Sequence, residues 1–143
     1  MKSLDTNILL YAINKDCPEH EACSDLVRHA LGEPESWIIA DQVWFELYCL
    51  LRNPAVLSQP LSAPDAAASV AWYRNKSGWV HCAWDNSMIG QLEGLWKEDS
   101  FPARRSFDLV LAITLKNNGV KQFYTRNTKD FEVFEFFAVV NPL

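Results

Sequence analysis

Three acidic residues, Asp5, Glu46 and Asp108, each stand against an apolar background in this 143-residue chain. Asp5 follows directly on the short run Lys2 to Leu4 and precedes the apolar stretch Ile8 to Ala12. Ligands of open parallel sheets bind beyond the carboxyl ends of the strands, so a carboxylate there is placed to meet a cation. The Asp-x-Asn triplet that Asp5 makes with Asn7 opens several unrelated α/β families and is weak alone. Glu46 says more. It lies three and four residues from Val43 and Leu50, which sets a carboxylate in an apolar helical stripe. Desolvation disfavours its charge, so at neutral pH it needs a cation, a hydrogen-bond donor or a proton. A Glu bent out to solvent or paired with an arginine fits that helix equally well. Asp108 is the one acid of a helix whose other members, Phe107, Leu109, Val110, Leu111, Ala112, Ile113 and Leu115, make it apolar nearly all round, hence expected to be buried. Its first-turn position also suits a purely structural capping role, because the helix dipole favours an anion there.

Thr125, Asn127 and Asp130 follow a strand end in the string Tyr124-Thr-Arg-Asn-Thr-Lys-Asp-Phe131 and would meet Asp5 at the same sheet edge. Carboxylates converging without His or Cys suit the hard cations Mg²⁺ or Mn²⁺. Such a cation enables phosphodiester hydrolysis, by polarising the phosphoryl group, activating a water and stabilising the leaving oxygen. No nucleophile–histidine arrangement competes, since His20, His29 and His81 have no evident nucleophile partner. Cys17, His20 and Cys23 form a C-x-x-H-x-x-C string, but zinc would need a fourth ligand and the segment reads as the start of a helix. The four cysteines show no C-x-x-C pair and are expected to be reduced thiols.

The elements that must position these groups alternate. The pattern predicts strands at Lys2 to Leu4, Trp37 to Ala40, Trp79 to Ala83, Lys121 to Thr125 and Ala138 to Val140. Between them it predicts helices from Glu19 to Leu31, after an Asp41 cap to about Arg52, from Pro64 through Trp72, from Asp85 to Trp96, and from a Ser106 cap through Leu115. Gly32 with Pro34, Asn53 with Pro54, and Gly119 supply the stops. This is an α/β domain with a central, mainly parallel sheet, read as one domain over residues 1–143. No signal peptide or membrane span is expected, which points to the cytoplasm. The net charge of −5 argues against coating nucleic acid by bulk positive field, though not against a nuclease. Basic residues concentrate in the last third, where Arg104, Arg105, Arg126 and Lys129 flank the acidic strings and are candidates for RNA contact; a solvated charged face is the alternative.

Together these strings resemble a PIN domain. "LDTNILLYA" at Leu4 to Ala12 resembles the family's opening motif, the Glu46 helix ending "LLRNP" its second acid, and "FDLVLAITLKNNGV" its third. "FYTRNTKDF" at Phe123 to Phe131, with the closing "VVNPL", resembles its last motif. Resemblance to the VapC branch implies a Rossmann-like three-layer sandwich, Mg²⁺-dependent endoribonuclease activity, a toxin's place in a toxin–antitoxin pair, neutralisation by a cognate antitoxin, and a homodimer. Carried over by position, Asp5 and Asp108 would be metal ligands and Glu46 a ligand or a base for water, with Asn7 and Thr125 in support. The fourth acidic position holds Asn127, with Asp130 three residues on. Since Phe131 reads as core, Asp130 is expected to be mainly structural and Asn127 to line the pocket. Residues 58–100 show no family motif, and Trp72, Trp79, Trp84 and Trp96 read as core or interface, with RNA stacking the alternative. Two other readings compete. One is a PIN-like module that binds RNA or protein without cutting. The other is a haloacid-dehalogenase-like phosphatase, which would want a second Asp where Asn7 stands.

Overall fold

The computed structural model describes residues 1–143. Five strands alternate with seven helices: β1 (Lys2–Leu4), α1 (Thr6–Ile13), α2 (His20–Gly32), β2 (Ile38–Ala40), α3 (Asp41–Leu51), α4 (Ala63–Lys76), β3 (Val80–Cys82), α5 (Ile89–Trp96), α6 (Ser106–Asn117), β4 (Gln122–Tyr124), α7 (Thr128–Glu132) and β5 (Ala138–Val140). Every ladder is parallel, with β4 between β1 and β5, and β2 beside β3. A parallel bridge from Lys2 to Trp37 joins the two ladders, so the strands run β3-β2-β1-β4-β5 from edge to edge. The chain steps outward from β1 to β3, then crosses back to β4 on the far side of β1. Right-handed crossovers therefore place α1 to α4 on one face and α5 to α7 on the other. The packing agrees, α1 lying against α2 and α3, α3 against α4, and α6 against α5 and α7.

The strands are three residues long and their apolar side chains face helices on both sides, as parallel sheets require. Leu4, Ile39 and Phe123 are fully buried, and Ile38 and Ala40 nearly so. Trp37 and Trp79 join them, the Trp79 indole donating to the Ala30 carbonyl at 3.0 Å. A smaller cluster of Met88, Leu92, Leu109 and Ile113 ties α5 to α6. Truncating Leu109 or Ile113 to alanine should cost roughly 2–5 kcal/mol. Trp72 and Trp96 are about half exposed and contribute less to the core.

Several expected boundaries move, each for a local reason. Asp41 does not cap α3. Ala40 is the last extended residue, so Asp41 is already helical and its carboxylate accepts from Arg74 Nε at 3.1 Å. Ser106 likewise lies inside α6, where its hydroxyl accepts from the Trp96 indole at 2.7 Å. The α4 cap is Ser62, accepting from the Asp65 amide, and the helix runs past Trp72 to Lys76. Asp85 caps a 3-10 turn at Asn86–Met88 before α5 begins. Short α7 had no periodicity to announce it. Gly119, at φ 79°, ends the α6 connection in the left-handed region that favours glycine. No helix is long and apolar enough to cross a membrane.

Candidate active site

Asp5 stands at the carboxyl end of β1, beside β4, where the order of strands reverses. Its amide donates to the Tyr124 carbonyl at 2.9 Å, one more rung of the β1–β4 ladder. Its side chain then caps α1, Oδ1 accepting from the Thr6 amide at 2.7 Å. Oδ2 accepts from the Thr125 hydroxyl at 2.6 Å and from Asn7 Nδ2 at 3.0 Å. Asn7 also donates to Thr125 Oγ1 and accepts from the Arg126 amide, each at 3.3 Å, so it binds α1 to the loop after β4. Only 7% of Asp5 is exposed. Burial pushes its carboxyl up to about 6; the Thr125 and Thr6 hydrogen bonds pull it down, while the charges of Glu46 and Asp108 push it up.

Glu46 is half-buried in the middle of α3, beside buried Val43 and half-buried Leu50. Neither solvent nor an arginine claims it. Oε2 accepts from the Thr6 hydroxyl at 2.8 Å and Oε1 from Gln42 Nε2 at 3.0 Å. Thr6 thus joins the two acids, its amide on Asp5 and its hydroxyl on Glu46. Asp108, in the first turn of α6, is half-buried rather than enclosed, and Phe107 beside it is 76% exposed, against the expectation of an all-round buried helix. Burial pushes Asp108 up to about 6, with the charges of Asp130 and then Glu46 adding and Arg105 opposing.

At the fourth position the two candidates have different surroundings. Asn127 is exposed, and its side chain makes no hydrogen bond within the chain; its amide donates to Thr125 Oγ1 at 3.0 Å. Asp130, expected to be mainly structural, weighs on Asp108 more than Glu46 does and pairs with Arg105 at 3.6 Å. Both line one polar hollow with Arg126, Thr128 and Lys129. Phe131 is buried as expected, and Asp130, the residue before it in α7, lies close enough to Asp108 for its charge to act there.

Among the basic candidates, Arg104 and Lys129 are exposed and unpaired. Arg126 donates to Glu19 and to the Tyr11 hydroxyl, both at 2.8 Å, so it already has structural work. Arg105 is mostly buried beside Asp130, and its Nε has no partner. Thr6 and Gln42 were missed by the sequence reading. Gln42 left one signal, its position four residues before Glu46 on the same helix.

These donors fit a hard divalent cation. They are oxygens only, and positive charge among them would offset both the burial that chiefly raises Asp5 and Asp108 and the smaller repulsion between the acids. Asp5, Glu46 and Asp108 are the residues that would hold it. No three His, Cys, Asp or Glu side chains lie close enough to enclose an ion by themselves; Mg²⁺ keeps several waters and takes one or two carboxylates directly. The Cys17–His20–Cys23 string is no zinc site: the Cys17 thiol donates to the Asn14 carbonyl at 3.1 Å, His20 Nδ1 lies 3.0 Å from the Tyr11 carbonyl, and Cys23 is buried. All four cysteines are free thiols. Beside the acids, a cleft of about 720 Å³ opens between α3 and α6, lined by Phe45, Glu46, Trp84, Phe107 and Val110 among others.

No family model matches the chain. It is 39% identical over 146 residues to ribonuclease VapC24 of Mycobacterium tuberculosis, an alignment covering all of this chain and 97% of the relative. Among solved structures it resembles VapC20 of Mycobacterium tuberculosis, a toxin that cleaves the sarcin–ricin loop, with a TM-score of 0.70 at 17% identity, covering 99% of this chain and 100% of that one. It also resembles the FitAcB structure from Neisseria gonorrhoeae, with a TM-score of 0.67 at 19% identity over 99% and 98% of the two chains. A VapBC2 structure from Rickettsia felis, bound to promoter DNA, matches with a TM-score of 0.66 at 17% identity over 98% and 97%. The solved neighbours carry the same PIN fold, and 39% identity to VapC24 over nearly the full length of both proteins decides the family: the chain belongs to the VapC ribonucleases.

Proposed function

We propose that the chain is a Mg²⁺-dependent endoribonuclease, able to use Mn²⁺, that hydrolyses RNA phosphodiester bonds in the cytoplasm as the toxin of a toxin–antitoxin pair. One observation carries the reading. Asp5, Glu46 and Asp108, spread over more than a hundred residues of sequence, come within electrostatic reach of one another at the reversal point of a parallel sheet, and two of them are pushed up to about 6. A bound Mg²⁺ would supply Lewis acidity at the scissile phosphate and offset the charge that develops there. The residues do the rest. Asp5 and Asp108 offer ligand oxygens, Thr125 and Asn7 fix the Asp5 carboxylate, and Thr6 and Gln42 hold Glu46 where it can ligate or accept a proton from water. Arg104 and Lys129 are the free cations available to neighbouring phosphates.

A cognate antitoxin and a second copy of the chain are the proposed partners. The relatives from Klebsiella pneumoniae and Rickettsia felis are toxin–antitoxin assemblies. Phe45 and Phe107, 70% and 76% exposed at the rim of the α3–α6 cleft, are a large apolar surface for a dimer to bury. Size-exclusion chromatography with light scattering should give a dimer that Phe45→Glu weakens. The activity itself is tested by incubating the EDTA-stripped protein with single-stranded and hairpin RNA, with and without added Mg²⁺ or Mn²⁺. Cuts within the chain that need the metal support the reading, and equal cleavage in excess EDTA defeats it.

A further inference from the structure

We infer that Gln42 is a positioning residue, a latch that fixes the separation of the two helices carrying Glu46 and Asp108; this rests on the proposed metal-dependent cleavage. Helices α3 and α6 lie on opposite faces of the sheet, and beside the acids a cleft of about 720 Å³ opens between them. Each helix carries one of the site's acids, and the charge of Glu46 acts on Asp108. The shared core anchors both helices, through Leu47 and Leu51 on one and Leu111 and Leu115 on the other, but it does not fix the acid-bearing ends against that repulsion.

One direct hydrogen bond does. Gln42 Nε2 donates to the Phe107 carbonyl at 3.1 Å, and Phe107 immediately precedes Asp108. The same nitrogen donates to Glu46 Oε1 at 3.0 Å. A primary amide has two hydrogens on that nitrogen, so both bonds form at once without competition. Glu46 is therefore gripped on both oxygens, by Thr6 on the side of Asp5 and by Gln42 on the side of Asp108. The arrangement gives Gln42, toward Asp108, the role that Thr6 has toward Asp5. It references one acid to the backbone that carries the next, so the spacing that a cation meets is set before the cation arrives. Groups that orient ligands in this way typically govern metal affinity ten- to a hundred-fold.

The test uses Gln42→Met, which keeps length and apolar bulk but has no donor, and Gln42→Asn, whose amide is one methylene too short to reach both acceptors. Isothermal titration of Mn²⁺ into the EDTA-stripped full chain should show binding about ten-fold weaker in both variants. The Mg²⁺ needed for half-maximal RNA cleavage should rise in parallel. RNA KM at saturating Mg²⁺ and the metal-free melting temperature should stay close to the parent values. Mn²⁺ affinity equal to the parent's in both variants overturns the latch and leaves the cleavage reading standing. A lowered metal-free melting temperature in both, with RNA KM and Mn²⁺ affinity weakened alike, marks a general structural role and also overturns it. A parent protein that takes up no Mn²⁺ and cuts no RNA overturns the cleavage reading, and the latch with it.

Discussion

The Thr125 hydroxyl donates to Asp5 Oδ2 at 2.6 Å across 120 residues of sequence, both residues nearly or fully buried. This bond joins the carboxyl ends of β1 and β4, the two strands on either side of the sheet's reversal point. It also favours the ionised form of a carboxyl that burial opposes.

Thr125→Val keeps the shape and removes that donor. The Asp5 carboxyl should climb further above its usual range, so the acid limb of the cleavage rate against pH should move to higher pH, with activity near neutrality down about ten-fold. A pH–rate profile superimposable on the parent's would show that the bond does not tune Asp5.

Asp5→Asn should abolish cleavage and stabilise the metal-free fold. The Asp5 carboxyl is raised from 3.8 to about 6, so its contribution to stability is intact below about 3.8, is lost as pH rises to about 6, and stays lost above. A rise of that size corresponds to roughly 3 kcal/mol once the group is ionised. The asparagine gives up hydrogen bonds from Asn7 or Thr125 in exchange, leaving a net gain of about 1–2 kcal/mol, or a few degrees in Tm. Metal-free melts should therefore favour the variant near pH 7.5 and lose that advantage near pH 4. Mg²⁺ should raise Tm in the parent far more than in the variant. A variant that cleaves RNA removes Asp5 from the site.

Asp130, rather than Asn127, should govern the metal requirement at the fourth position. Asp130→Asn removes the charge that weighs most on Asp108, and should raise the Mg²⁺ needed for cleavage several-fold. Asn127→Asp adds a charge to an exposed side chain and should change that requirement less. Mg²⁺ titrations of both variants decide it. Should the order of the two effects be reversed, the assignment of Asp130 fails.

Much of this was legible in the sequence because the acids sit where an acid has to be explained. Asp5 stands between a short strand and an apolar helical run, and Glu46 interrupts an apolar helical stripe, so their types and positions alone pointed to a site. Partners distant in sequence were not legible. Periodicity gave no sign that Arg74 would claim Asp41, that Trp96 would claim Ser106, or that Thr6 would reach Glu46 forty residues away. The exposure of Phe107 was hidden for a related reason. An apolar residue on an apolar helix reads as core until the cleft beside it is seen. The surroundings of Asp130 were not legible either: beside a core Phe131 it reads as facing solvent or capping a turn, and it lies in one short helical turn where it pairs with Arg105.

Exposed cations should serve RNA binding and little else. Arg104→Ala and Lys129→Ala should each raise RNA KM, with kcat held, and should lower the slope of log affinity against log salt concentration by about 0.7 for each phosphate left without its cation. Arg126→Ala should instead lower Tm, because its guanidinium ties Glu19 and Tyr11 to the loop after β4. Salt-dependent binding to a catalytically dead Asp5→Asn protein measures the first pair. An unchanged salt slope in both variants would mean that phosphates are met elsewhere.

The central claim is that the three acids act by holding a divalent cation at the sheet's reversal point. The most direct measurement is the rate of cleavage of an end-labelled RNA by the EDTA-stripped protein as Mg²⁺ is added back, run beside Asp5→Asn, Glu46→Gln and Asp108→Asn. No cleavage is expected without metal, with a saturable rise on adding Mg²⁺ to the parent and rates at least about a hundred-fold lower in each variant, at every Mg²⁺ concentration, with the fold retained. Cleavage by the parent that is indifferent to Mg²⁺, or variants that cut as the parent does, would contradict it.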